Sequence, residues 1–183
     1  MISCLKMEKE ELKSIMITKK TPLSYIKKLK IGCEKCGHCC SFDSGIFLES
    51  DIKRIADKKG VPVDDFKKRF LEEKQILNKN VHKAKLKKEG KPFGKCVFLQ
   101  NKECSIHDVK PLHCEIGSGC HEYGQQINIW FMLNHVLDES DPQAIRDWSV
   151  YLQSRSTIPG GELHELIKNK EKLAQILSYD LLR

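Results

Sequence analysis

The sequence lacks any long apolar run, and this absence limits where the protein can reside. No segment of the 183 residues approaches the roughly 18 to 20 apolar residues of a bilayer-spanning helix. Charged residues also interrupt the N-terminal segment from Met1 to Lys20 every few positions, unlike a secretory signal. We therefore expect a cytoplasmic protein with no membrane partner.

Signals of catalysis are also scarce. Gly117-Ser118-Gly119 is an isolated G-x-G match, and no apolar strand precedes it as a cofactor-binding loop would require. No spacing in the sequence pairs a nucleophile with a base. The catalytic residues therefore stay unassigned, and the sequence leaves open whether the protein is an enzyme.

Cysteine, in contrast, is abundant, with nine in the chain. In a reducing compartment, clustered cysteines are more often metal ligands or redox groups than disulfides. Cys4 stands apart from the others, and we expect it to be a thiol without a metal. The other eight are the predicted metal ligands: Cys33, Cys36, Cys39, Cys40, Cys96, Cys104, Cys114 and Cys120.

The stretch CEKCGHCC holds the first four of these cysteines. Two-residue gaps separate Cys33, Cys36 and Cys39, a spacing that lets consecutive thiolates turn toward one centre. Gly37 can adopt the positive φ that so tight a loop needs. Cys40 directly follows Cys39, and side chains of adjacent residues usually diverge, so it binds a second centre, bridges two metals or is simply buried.

The later cysteines are expected to complete the site. Cys96 and Cys104 flank a short turn and are predicted to lie on the two arms of a small β-hairpin, with Cys114 and Cys120 in the loop behind it. Eight thiolates could serve two zinc ions or one [4Fe-4S] cluster with spares. The primary ligands are expected to be Cys33, Cys36 and Cys39 with Cys96, Cys104 and Cys114. Four neighbouring histidines could substitute: His38, His107, His113 and His121.

These residues resemble the YkgJ-type cysteine-cluster family, which is named for a CxxCxxCC motif and described as zinc- or iron-chelating. The likeness runs from about Gly32 to Cys120 and includes Gly94-Lys95-Cys96-Val97-Phe98-Leu99, Cys104-Ser105-Ile106 and Lys110-Pro111-Leu112-His113-Cys114. It implies a zinc or iron ion or an iron–sulfur cluster as cofactor. Three residues depart from the family's usual tyrosine and two arginines, namely His107, Lys110 and Glu115.

The resemblance also extends to flagellin lysine N-methylase, a much longer enzyme of the family. If this chain is an enzyme, the likeness implies an iron–sulfur-dependent oxidoreductase or a lysine methyltransferase-like activity with a protein substrate. The alternative is a purely structural metal that stabilises a domain with a modest core. Fold analogy alone does not decide between these hypotheses.

The hydrophobic pattern predicts a mainly α fold with a loop-rich cysteine metal site and a small β-hairpin. Three parts are expected: an N-terminal helical segment over 1–30, a cysteine-cluster domain over 31–122 and a C-terminal helical region over 123–183. Predicted helices cover Glu8 to Met16, Pro22 to Leu29, Glu49 to Gly60, Pro62 to Leu71, a stretch after Tyr123, Asp141 to Gln153, and one from about Glu162.

Positive charge is concentrated in the middle of the chain. Residues 51–95 hold 15 Lys/Arg against 7 Asp/Glu, whereas the remainder is nearly balanced. The lysine-rich tract from Lys79 to Lys95 is predicted to be an exposed loop or frayed helix. A structural zinc module that binds RNA through this basic segment is therefore a further hypothesis. Aromatic residues, at 7%, are few for that role, and Phe93 is the only one between Val81 and Lys95.

Overall fold

The computed structural model describes residues 16–29, 37–117 and 123–178. Its first helix, α1 (Leu23–Lys28), begins directly after Pro22, a residue that suits the start of a helix because it needs no backbone donor there. This helix was predicted from the sequence and is confirmed. The helix predicted from Glu8 to Met16 lies almost wholly outside the described residues.

The next two helices were also predicted and are confirmed. Helix α2 (Glu49–Lys59) ends at Gly60, whose φ of 65° provides the left-handed cap that glycine adopts most easily. Helix α3 (Val63–Phe70) follows Pro62. The prediction that Leu71 continues the apolar stripe of α3 is wrong, because the chain becomes extended there and begins a strand.

A three-stranded antiparallel sheet occupies much of the lysine-rich middle of the chain, and the last of its strands in sequence lies at its centre. The prediction of a loop or frayed helix from Lys79 is therefore wrong. Positive φ at Leu77 and Asn78 closes a two-residue hairpin turn. Val81 and Ala84 are both buried, on opposite faces of their strand. The strands are β1 (Ile46–Phe47), β2 (Leu71–Ile76) and β3 (Lys79–Ala84).

Two further antiparallel pairs of two-residue strands carry later cysteines: β4 (Leu86–Lys87) with β5 (Lys95–Cys96), and β6 (Leu99–Gln100) with β7 (Glu103–Cys104). Asn101 and Lys102 form the β6–β7 turn with positive φ. The single predicted hairpin is thus correct for Cys104 only. Cys96 pairs with Leu86 of β4 and not with the arm that carries Cys104.

The C-terminal part is helical, as predicted. Asp141 caps α6 by accepting a hydrogen bond from the Gln143 N–H, and Gly160 breaks the chain with a φ of 90°. The single last helix predicted from Glu162 is instead two, because Asn169 caps a new helix by accepting from the Lys172 N–H. The helices are α4 (Leu112–Ile116), α5 (Gly124–Phe131) with a π-helical continuation (Met132–Val136), α6 (Pro142–Leu152), α7 (Leu163–Leu166) and α8 (Lys170–Ser178).

The fold is mixed and mainly helical, with more strand than the sequence predicted. Its buried apolar side chains form two clusters. The larger one is built around Trp130, Phe131 and Trp148 and reaches Ile46 and Leu112. The smaller one is built around Phe66 and Phe98 and includes Cys96. In the described ranges, every helix is too short or too polar to cross a membrane.

Candidate metal centre

The first cysteine loop ends in a tight turn that separates its last two thiols. A 3-10 turn spans Cys39–Ser41, and the Ser41 hydroxyl donates to the Gly37 carbonyl over 2.9 Å. Cys39 is exposed, whereas Cys40 is partly buried and packs against the smaller apolar cluster. The two neighbours thus face different surroundings, as the sequence predicts for adjacent residues.

The same loop lies against the β6–β7 hairpin. Gly37 has a φ of +70°, and a Cβ there would stand 3.0 Å from the Lys102 carbonyl oxygen and 3.2 Å from Leu99 Cδ1. The 3-10 turn at Cys39–Ser41 also packs against β5, which carries Cys96. The early and late cysteine segments therefore meet in space, although about 55 residues of chain separate them.

Several neighbouring groups shift the pKa of Cys96. It is buried, and its sulfur is hydrogen-bonded to the backbone at Phe98 and Leu99. Burial raises the pKa of the thiol, the two backbone hydrogen bonds lower it, and the nearby Cys104 raises it again. Without a bound cation, the neutral thiol of Cys96 is favoured. The backbone hydrogen bonds at Phe98 and Leu99 would stabilise its thiolate form.

Cys114, in the short helix α4, is partly buried, and its sulfur lies against Gly45. A Cβ on Gly45 would come within 2.3 Å of Cys114 Sγ, so only glycine leaves room for this sulfur. Burial strongly raises the pKa of the thiol, and Cys96, Cys40 and Cys104 raise it further because their sulfurs are near. A backbone hydrogen bond at Gly45 acts in the opposite direction.

Four sulfurs from four separate segments therefore act on one another: Cys40, Cys96, Cys104 and Cys114. Within residues 16–29, 37–117 and 123–178, however, no three Cys, His, Asp or Glu side chains meet as a group able to hold a metal ion. The predicted ligands Cys33, Cys36 and Cys120, and the thiol Cys4, lie outside these ranges. The four sulfurs are neighbours, and their assembly into a ligand shell stays a prediction.

The predicted substitute ligand His113 does not fit that role. Its Nδ1 accepts from the Ile46 N–H at 2.9 Å, and its Nε2 lies 2.8 Å from Asn128 Oδ1. The ring stacks on Phe131, and burial lowers its pKa, which keeps the imidazole neutral. Both nitrogens are thus occupied, and His113 ties α4 to β1 and α5.

The other histidines differ from His113 in their surroundings. His38 is exposed and meets Phe42 edge-on, at 5.4 Å between ring centroids. His107 Nε2 lies 3.5 Å from Nζ of the buried Lys110, so two of the departures from the family pattern contact each other. His121 lies outside the described residues.

A buried carboxylate that the sequence did not reveal as part of the site positions the segment before Cys114. Asp51 Oδ2 accepts from the Leu112 N–H at 3.2 Å and from the Leu48 N–H at 3.1 Å. Its Oδ1 accepts from Arg54 Nη2 at 2.6 Å. Arg54 also donates to the carbonyls of Val109 and Lys110. The sequence did not reveal this role of Asp51, because Leu112 comes from a distant segment.

Glu115, the third departure from the family pattern, pairs with a lysine of another helix. Its carboxylate stands 3.3 Å from Lys27 Nζ of α1. The acidic residue thus helps to hold α4 against the N-terminal helix. Because the pair is partly exposed, its contribution to stability is on the order of 1 kcal/mol or less.

The donor set is suited to thiophilic metals. Sulfur ligands favour zinc and iron–sulfur centres over magnesium or calcium, which prefer oxygen.

One family model matches the chain, over residues 32–130, and its description is CxxCxxCC, "putative zinc- or iron-chelating domain". No curated protein and no solved structure matches the chain. The matched range is more than half of the 183 residues and includes all four neighbouring sulfurs. The chain therefore belongs to the CxxCxxCC family.

Proposed function

We propose that this protein binds a zinc or iron ion, or a [4Fe-4S] cluster, through thiolates that include Cys40, Cys96, Cys104 and Cys114. The observation that carries the proposal is the contact of Cys114 Sγ with Gly45, together with three other cysteines from separate segments that raise the pKa of this thiol. Thiolates so placed repel one another, and a bound cation removes the repulsion. The first loop is expected to contribute Cys33, Cys36 and Cys39 as well.

The proposed role of the metal is to hold the cysteine-bearing region in its fold. That region contains pairs of two-residue strands and short turns, which offer few backbone hydrogen bonds for each ordered residue. A structural zinc can contribute on the order of 10 kcal/mol to folding, which is enough to stabilise such a region. The metal would supply cross-links between β5, β7, α4 and the first loop.

The test is the stoichiometry of metal and acid-labile sulfide on protein prepared without oxygen. We expect at least one zinc or iron per chain. Iron with labile sulfide and an absorption band at about 400 nm that bleaches on reduction would favour a redox or protein-modifying activity. A colourless zinc protein would favour the structural role.

Cysteine variants sharpen this test. Cys96→Ser and Cys114→Ser should lose metal, as should Cys33→Ser and Cys36→Ser, whereas Cys4→Ser is the matched control that should keep it. Full metal content in all four ligand variants would overturn the proposal. Metal loss in the Cys4 variant would show that the site is built differently.

A further inference from the structure

Two of the seven phenylalanines are exposed and contact each other. Phe42 is 51% exposed and Phe93 is 45% exposed, with 5.9 Å between ring centroids and an angle of 49° between the planes. His38 meets Phe42 on its other side. The remaining phenylalanines are buried or partly buried. We refer to His38, Phe42 and Phe93 as the aromatic platform.

The fold brings the platform together from two distant segments. His38 and Phe42 flank the 3-10 turn at Cys39–Ser41, which packs against β5, and Phe93 lies two residues before that strand. The backbone next to Phe93 approaches β4 closely, because a Cβ on Gly94 would stand 2.3 Å from the Lys87 carbonyl oxygen. The exposed rings therefore sit on elements that are held in place by close backbone contact.

Three lysines lie on the segments next to the platform. Lys87 and Lys95 are directly opposite each other in the β4–β5 pair, an arrangement of like charges that destabilises a sheet. Lys91 Nζ lies 5.9 Å from the Phe93 ring centroid. Within the described part of the chain, none of these three ammonium groups pairs with a carboxylate. An anionic partner would remove the repulsion between them.

The neighbouring lysines of the basic tract are engaged elsewhere. Lys83 pairs with Asp43 at 2.8 Å, and Lys85 donates to the Lys68 carbonyl at 2.6 Å. Among the described residues of the tract, Lys87, Lys88, Lys91 and Lys95 have no such partner, and Lys91 lies beside the Phe93 ring. This distribution differs from the sequence-based hypothesis, which treated the whole basic segment as one surface.

We propose that the aromatic platform binds single-stranded nucleic acid, with bases stacked on Phe42 and Phe93 and phosphates neutralised by Lys87, Lys91 and Lys95. Exposed aromatic rings in a cationic setting bind bases of any sequence, since every base presents a flat π face. An acidic peptide would satisfy the lysines but would leave the rings without a matching partner. The structure supplies Phe42 and His38, which the sequence could not place beside Phe93.

The experiment measures binding of the full-length, metal-loaded protein to a fluorescent single-stranded RNA of about ten nucleotides. Fluorescence anisotropy gives Kd over salt concentrations from about 50 to 200 mM. If three phosphates are contacted, the plot of log affinity against log salt should have a slope of about −2. The metal content of every variant is measured in parallel, so loss of the metal centre is distinguished from loss of binding.

Two pairs of variants with matched controls test the two halves of the proposal. The double variant Phe42→Leu/Phe93→Leu should weaken binding about tenfold or more, whereas Tyr25→Leu, at another exposed ring, should not. The double variant Lys87→Gln/Lys95→Gln should make the salt slope shallower by about 1.4, whereas Lys170→Gln/Lys172→Gln on α8 should leave it unchanged.

Three results would overturn the proposal. The first is no binding at about 50 mM salt. The second is an equal loss in the test and control variants, which would show a general effect of net charge. The third is equal competition by poly-glutamate, which would assign the surface to an acidic polypeptide instead.

Discussion

The cysteine-bearing region and the C-terminal helical region both have apolar interiors, but only the cysteine-bearing region adds cysteine sulfurs to its interior. In residues 123–178 the interior is filled by large apolar side chains such as Trp148, whose indole N–H donates to the Gly161 carbonyl at 2.8 Å. In residues 37–117 Cys96 belongs to the buried cluster, and the sulfur of Cys114 is enclosed against Gly45. The C-terminal helical region can be stable through burial alone, whereas the cysteine-bearing region brings together sulfurs that repel one another once ionised.

The two regions nevertheless share a boundary. The larger apolar cluster extends from Trp148 to Ile46 of β1 and Leu112 of α4. His113 crosses the same boundary through its contacts with Asn128 and Phe131. The helical region is therefore the support on which α4, and with it Cys114, is positioned. Because only one region contains the cysteine sulfurs, we expect metal removal and truncation of apolar side chains to affect the two regions differently.

Metal removal should give the largest difference between the regions. A strong chelator is expected to increase hydrogen exchange in β4–β7 by several orders of magnitude, because a structural metal contributes on the order of 10 kcal/mol. Helices α6 and α8 should keep most of their protection. Mass-spectrometric hydrogen exchange with and without chelator measures the protection of both regions. An equal loss of protection in the two regions would contradict the expected difference between them.

Truncation of an apolar side chain in the C-terminal helical region should instead lower the stability of the protein and leave its metal content unchanged. Trp148→Ala is expected to lower the free energy of unfolding by about 3–5 kcal/mol, because it leaves a large cavity and removes the bond to Gly161. The metal-to-protein ratio of the folded variant should stay at the wild-type value. Urea unfolding with metal analysis tests this, and loss of metal from folded Trp148→Ala protein would show that the two interiors are one unit.

Loss of the Asp51 carboxylate should affect the boundary itself. Asp51→Ala leaves the Leu112 N–H without its acceptor and removes the partner of Arg54, so we expect about 2–3 kcal/mol of destabilisation. The segment before Cys114 would also be less constrained, and metal affinity is expected to fall about tenfold. Competition with a chromogenic chelator gives the affinity. The matched control Asp57→Ala, at an exposed position of α2, should change neither quantity.

The smallest expected effect is a pH dependence that arises in the helical region. Burial lowers the pKa of His135, and its Nε2 has no hydrogen-bond partner among the described residues. Because the unfolded imidazole has the higher pKa, the unfolded state binds more protons, and stability falls as pH drops from about 6.5 toward the folded pKa. His135→Phe keeps a ring against Trp130 and should reduce this acid-induced loss. Urea unfolding at about pH 7 and pH 5 measures it, and an unchanged pH dependence in the variant would exclude His135 as its source.

Much of the helical architecture could be predicted because local signals determine it. Gly60, Pro62 and Asp141-Pro142 each mark a helix end or start, and the structure has those boundaries. The β2–β3 hairpin was missed because its turn, Leu77-Asn78, lacks the usual glycine, and because lysines share a strand face with the buried Val81. The start of α8 had a signal in Asn169, but the continuous apolar spacing obscured it.

For the candidate site, the sequence could predict which residue types are involved but not the contacts that position them. Cysteine spacing indicated which residues matter, and the structure brings Cys40 near the three later sulfurs. The space beside Gly45 and the contacts of Asp51 depend on segments about 60 to 70 residues apart, and no local pattern encodes them. Tertiary packing also decided that His113 serves as a structural link and not as a ligand.

The central claim, that thiolates from separate segments share a metal, is tested most directly by X-ray absorption at the metal edge of anaerobically prepared protein. The account predicts a first shell of sulfur only, with about four metal–sulfur distances near 2.3 Å, and a loss of sulfur scattering in Cys114→Ser. A shell dominated by oxygen or nitrogen, unchanged when Cys96 or Cys114 is replaced, would contradict it.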